Sequence, residues 1–117
     1  MNSFNKISVT DQMRTELHDS LKLTGAEISI NTLSAGTGVP FVHSHKQNEE
    51  IYAILDGEGK AVIDGEEVSL KSGDWLRISP SAKRQFFASD SGAIKYICIQ
   101  VKANSLEGYT LTDAVVL

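Results

Sequence analysis

His43-Ser-His45-Lys-Gln-Asn-Glu49-Glu50-Ile-Tyr52-Ala-Ile-Leu-Asp-Gly57-Glu-Gly59 carries the densest group of ligand-type side chains in the sequence. Two of the three histidines fall here, two residues apart, followed by paired carboxylates, an apolar run and a glycine turn. In an extended chain, residues i and i+2 share a face, with Cα atoms roughly 6.5–7 Å apart. His43 and His45 can therefore aim both imidazoles at one point, with Val42 and Ser44 pointing away. A carboxylate from the next strand completes a two-histidine, one-carboxylate face. That set suits non-haem iron and other divalent metals and leaves positions open for water or substrate. Strand parity decides which glutamate arrives. With Glu50 inward, Tyr52 and Ile54 share its face; with Glu49 inward, Ile51, Ala53 and Leu55 do. A mixed polar–aromatic face suits a pocket better than an aliphatic one, which favours Glu50.

Outward from this segment, short extended runs alternate with turn signals. Residues 1–9 read as an extended lead-in. Thr10 or Asp11 resembles a helix cap, and the i, i+4 pair Met13 and Leu17 predicts one or two helical turns ending near residue 19. Leu21 and Leu23 alternate before Gly25. Strands are expected over about 26–33, 50–56, 60–63, 67–70, 75–78, 84–88 and 94–101, with 39–45 extended because Pro40 forbids a helix. Gly57-Glu-Gly59 reads as the turn between two of these strands, and Asp64-Gly65 as a two-residue hairpin. Val115-Val-Leu117 reads as a final strand. About nine short strands at roughly ten-residue spacing predict an all-β sandwich or barrel with a short N-terminal helical turn. A single domain is expected across residues 1–117, its core barrel over about 21–101, with the lead-in and the C-terminal tail packed on it.

Composition narrows the function. A chain of 117 residues supports one domain with a core, and 41% hydrophobic with 22% charged residues is ordinary globular content. A net charge of −4 gives no support to a nucleic-acid partner. Lys60, Lys71, Arg77, Lys83 and Arg84 are scattered rather than clustered. No apolar run approaches the roughly 20 residues of a membrane-spanning helix, and no membrane partner is expected. The first six residues lack an apolar signal core, and Cys98 is the sole cysteine, so a cytoplasmic location is expected. Cys98, between Ile97 and Ile99, reads as a buried inert thiol, and His18 as a solvated side chain. Trp75 is expected to pack in the core. Tyr52 is the best candidate for a proton donor or ligand-orienting hydroxyl. No base accompanies a nucleophilic serine or threonine, and Gly36-Thr-Gly38 is no phosphate loop.

The spacing of Gly38, His43, His45, Glu50 and Gly57 resembles the first motif of the cupin superfamily. The spacer from Gly38 to His43 is one residue shorter than the usual pattern. The resemblance covers roughly residues 21–101. It implies a double-stranded β-helix, or jelly-roll barrel, with the site inside the barrel mouth, and a homodimer. It also implies a second motif whose histidine is the fourth metal ligand. Gly73-Asp74 and Pro80 begin that motif, but the histidine position falls on Arg84, or on Gln85 if counted from Pro80. A one-residue shift flips the strand face; the Gly-Asp turn is the firmer anchor and favours Arg84. Phe86 then shares the inward face; in the other register Gln85 and Phe87 do.

Arginine has no lone pair to offer a metal. An inward Arg84 can clamp a ligand's carboxylate or phosphate beside a three-ligand metal, or pair with Glu50 in place of the cation. Gln85 can ligate weakly through its amide oxygen. The expected function is a small-molecule pocket with a divalent transition metal (Fe, Mn, Ni or Zn) on His43, His45 and Glu50. Tyr52, Arg84, Gln85 and Phe86 are the expected substrate-binding residues. The resemblance implies dioxygenase, isomerase or lyase chemistry on a small oxygenated substrate. The alternative is a metal-free module that binds a sugar or organic acid, with Arg84 in place of the missing histidine. Acid–base epimerase or isomerase chemistry without metal is a third reading, resting on His43, His45 and Tyr52.

Overall fold

Antiparallel pairing organises the protein, described here from a computed structural model covering residues 3–108 and 110–117. The strands are β1 (Arg14–Glu16), β2 (Glu27–Leu33), β3 (Asn48–Ile63), β4 (Glu66–Lys71), β5 (Trp75–Ile78), β6 (Arg84–Ala88) and β7 (Ile94–Lys102). Two short helices, α1 (His18–Leu21) and α2 (Thr110–Asp113), flank them. The result is an all-β jelly-roll barrel.

β3 is the strand on which the barrel turns. Its first half pairs with β5 and β7, and its second half with β4 and β6. The sequence predicts two strands separated by a Gly57-Glu-Gly59 turn; the structure has one bent strand instead. The β3–β7 register shifts between Ile54 and Asp56, a bulge that bends the strand. Gly57 follows at φ +82°, and a Cβ there would overlap the Ala93 carbonyl oxygen. The glycine is required for a kink with close backbone approach, not for a chain reversal. Asp64 (φ 50°) and Gly65 (φ 85°) form the expected hairpin turn between β3 and β4.

Alternation along the strands fills the barrel. Tyr52, Ile54, Ala61, Leu70, Ile78, Phe86, Ala88, Ile94, Tyr96 and Cys98 form one buried cluster. At its centre Tyr52 stacks on Phe86 with centroids 4.2 Å apart, and Phe86 stacks on Tyr96 at 5.4 Å.

Three expectations fail in the periphery. The helix over Thr10–Asp19 is absent: Arg14–Glu16 joins the sheet edge, with Thr15 opposite Ile30. Helical turns form one step later, at His18–Leu21. An open edge on β2 supplies ladder hydrogen bonds that the short Met13/Leu17 pattern cannot outweigh. Val115–Leu117 forms no strand and is exposed. Trp75 is 70% exposed. It opens β5 beside Ala53, and the burial pattern along β5 turns it outward while Leu76 and Ile78 are more covered.

Candidate metal centre

Glu50 enters the barrel from β3 with its carboxylate almost wholly buried, in the company of Tyr52. Glu49 points outward and pairs with Arg77 at 3.2 Å. The alternation that selects Glu50 is therefore the one the strand adopts.

His43 and His45 lie on the extended segment before β3. His43 and Arg84 exchange backbone hydrogen bonds (2.9 and 3.1 Å), and the His45 amide donates to the Pro80 carbonyl at 2.7 Å. These bonds anchor a segment that has no continuous ladder of its own. Gly38 closes the same edge against Phe87, whose ring leaves no room for a Cβ. Both imidazoles thus hang over the barrel mouth, ring planes at 86° and centroids 5.2 Å apart.

His45 Nε2 lies 3.1 Å from Glu50 Oε2, and His43 Nε2 lies 3.8 Å from Oε1. Close as it is, His45 Nε2 is buried without a hydrogen-bond partner, and so is His43 Nδ1. One donor atom from each of His43, His45 and Glu50 lies within 4.8 Å of the other two. Ligands about 2.1 Å from one ion on adjacent positions lie about 3 Å apart. The orphaned imidazole nitrogen beside the carboxylate, and the mixed N/O donor set, fit a divalent transition metal. Burial holds the His43 imidazolium below its ordinary pKa, with the charges of His45 and Arg84 acting the same way and Glu50 opposing. The neutral form, which ligates, is favoured.

The remaining contacts of Glu50 fix its carboxylate. Tyr52 donates its hydroxyl to Oε1 at 2.7 Å, and the Cys98 thiol donates to Oε2 at 3.3 Å. Burial, reinforced by Cys98 and Glu50, raises the Tyr52 pKa far above its ordinary value. Burial and Glu50 likewise push the Cys98 thiol up to about 12. Both remain protonated donors at neutral pH. Tyr52 is thereby committed to orienting Glu50, and Cys98 is the buried thiol the sequence predicts.

Arg84 takes the inward register, with Phe86 and Ala88. It is fully buried (0% exposed), and its Nη1 lies 3.5 Å from Glu50 Oε1. Its Nη2 donates to the Ser79 carbonyl at 2.6 Å, while Nε and Nη1 make no hydrogen bond.

A cavity of about 540 Å³ opens from the three candidate ligands. Tyr52, Phe86 and Gln85 border it, Gln85 with its amide donating to the Val39 carbonyl at 2.7 Å. Arg84 does not border it. Of the two roles open to an inward Arg84, the geometry provides the pairing with Glu50 and not the ligand clamp. Arg14 on β1 and Ser29 and Asn31 on β2 also border the cavity, and Arg14 escapes a reading of the sequence that places residues 10–19 in a helix. The alternation of Arg14 and Glu16 about Thr15 is the signal that could have placed Arg14 on a strand.

Residues 30–100 match the family model described as a cupin domain. The chain belongs to the cupin family. It is similar to a cupin protein of Bacteroides fragilis, whose crystal structure shares 63% identity over 100% of this chain and 99% of that one, with a TM-score of 0.97. Quercetin 2,3-dioxygenase of Bacillus subtilis is 32% identical over 89 residues, 75% of this cupin and 26% of that protein. An uncharacterized protein of Methanocaldococcus jannaschii is 33% identical over 57 residues, 49% of this chain and 46% of that one. The cupin described here therefore spans less than half the length of either curated relative. A predicted oxalate decarboxylase of Thermotoga maritima shares the fold at 24% identity, covering 64% of each chain, with a TM-score of 0.60. Among the described residues, no helix is long and apolar enough to cross a membrane.

Proposed function

We propose that this cupin holds a divalent transition metal on His43, His45 and Glu50, and there binds and transforms a small oxygenated substrate within the barrel. The observation that carries the reading is the buried, hydrogen-bond-free His45 Nε2, 3.1 Å from Glu50 Oε2. Leaving a buried polar atom unsatisfied costs about 1–3 kcal/mol, and a bound cation removes that cost. A bound ion would supply Lewis-acid polarisation of a substrate oxygen or, if redox-active, oxygen chemistry. The chain supplies the rest. Tyr52 and Cys98 hold the carboxylate in one orientation, the lowered pKa of His43 favours its neutral, ligating form, and the stacked Tyr52, Phe86 and Tyr96 exclude water from one side. The likeness to quercetin 2,3-dioxygenase supports dioxygenase chemistry among the reactions open to such a site. The test is metal content and turnover after loading with Fe, Mn, Ni or Zn, in the wild type and in His45→Ala.

The Arg84–Glu50 contact favours a second reading, a metal-free binding module in which the guanidinium balances the carboxylate. A wild type that takes up no metal yet binds an organic acid or sugar would establish it.

A further inference from the structure

The cavity is asymmetric in charge. Among the described residues bordering it, Glu50 is the one acid, and it already faces the Arg84 guanidinium. A divalent ion at the same carboxylate would leave a surplus of two positive charges. At the rim stands a further cation, Arg14. It is placed there by the β1–β2 pairing that sets it opposite Asn31. Its Nη1 donates to Asn31 Oδ1, and the buried Asn31 amide donates to Ser29 Oγ at 3.0 Å. This chain of bonds aims a half-exposed guanidinium along the cavity wall. Between the two charged ends, the lining includes Leu33, Val39, Phe41 and the Tyr52–Phe86 stack.

We propose that the cavity takes a small organic carboxylate with a flat apolar body, its carboxylate on Arg14 and its body along the Phe86 wall. Arginine suits this task because its planar fork meets a carboxylate in two parallel hydrogen bonds. Glu16 holds Arg14 Nε at 3.3 Å, but both side chains are more than half exposed, so this pair is weak and a ligand can displace it. The proposal deepens the metal reading by naming a substrate class, but its Arg14 end does not need the metal.

Benzoate and cinnamate, each against its neutral amide, are the probes, titrated by calorimetry into the full chain both metal-free and Zn-loaded. In the wild type the acids bind and the amides bind at least about tenfold more weakly, a difference of about 1.4 kcal/mol. Arg14→Gln removes that preference, Arg14→Lys restores part of it, and Glu16→Gln tightens acid binding by freeing the guanidinium. A purely structural Arg14 would give no gain in Glu16→Gln. Zinc uptake is unchanged in Arg14→Gln, so failure of the metal reading shows as absent uptake in every variant, while the acid-over-amide preference is scored on metal-free protein. Equal binding of acid and amide by the wild type overturns the proposal. So does an acid preference that survives in Arg14→Gln.

Discussion

The Arg84 guanidinium lies 3.5 Å from the Glu50 carboxylate, with both side chains removed from solvent. At an effective dielectric of about 20 the attraction is about 5 kcal/mol, and desolvation of both ions offsets much of it. Breaking such a pair from one side is far more costly than removing both charges. Arg84→Met is therefore expected to destabilise the metal-free protein by about 3–5 kcal/mol. The double variant Glu50→Gln/Arg84→Met should recover much of the loss. Urea denaturation of the single and double variants measures both. A bound divalent ion can replace the guanidinium as counter-charge, so the cost of Arg84→Met should shrink when metal is present.

Gly57 marks the kink in β3. Gly57→Ala must adopt φ +82° and meets the Ala93 carbonyl, so its cost should exceed the about 1–2 kcal/mol of a left-handed residue alone. Gly65→Ala, at φ +85° with open space around it, should cost only that amount. Equal denaturation midpoints for the two variants would show that the kink is not tightly held.

This kink explains why part of the architecture was legible and part was not. The boundaries of β5 and β6 follow from hydrophobic alternation and turn residues, and Glu50 follows from parity. A glycine at positive φ serves a turn and a bent strand equally well, so Gly57 alone could not show that β3 continues through it. What separates the cases is the pairing with β7 and β6, which lies far away in sequence. Arg14 shows the same limit. Its three-residue strand exists because β2 offers an open edge, and nothing local to residues 10–19 records that edge. Trp75 misleads for the opposite reason, since its apolar bulk says nothing about which face of a four-residue strand it occupies.

Trp75 is the sole tryptophan, so its exposure is open to direct measurement. Its fluorescence should be quenched readily by acrylamide in the native state. Trp75→Ser should change stability by no more than about 0.5 kcal/mol. A protected, blue-shifted emission would indicate that another surface covers this side chain in solution.

Burial pushes the Cys98 thiol up to about 12. In the unfolded chain the thiol titrates near its ordinary value of about 8.5. The native state therefore binds this proton more tightly, and the stabilisation it contributes is complete below about pH 8.5 and declines as pH rises toward 12. Tyr96, also pushed up to about 12 by burial, adds to the decline above its ordinary value of about 10. The Tm should fall across this alkaline range, and less steeply between pH 8.5 and 10 in Cys98→Ala. Aromatic disulfide reagents should react with the thiol at pH 8 only after denaturation.

His43, His45 and Glu50 are proposed to hold one metal ion per chain. Elemental analysis of chelator-free protein incubated with Fe, Mn, Ni or Zn, paired with the Tm of the same samples, tests this most directly. About one equivalent per chain is expected, with a metal-dependent rise in Tm that His45→Ala abolishes. Uptake below about a tenth of an equivalent for every metal, with no change in Tm, would contradict it.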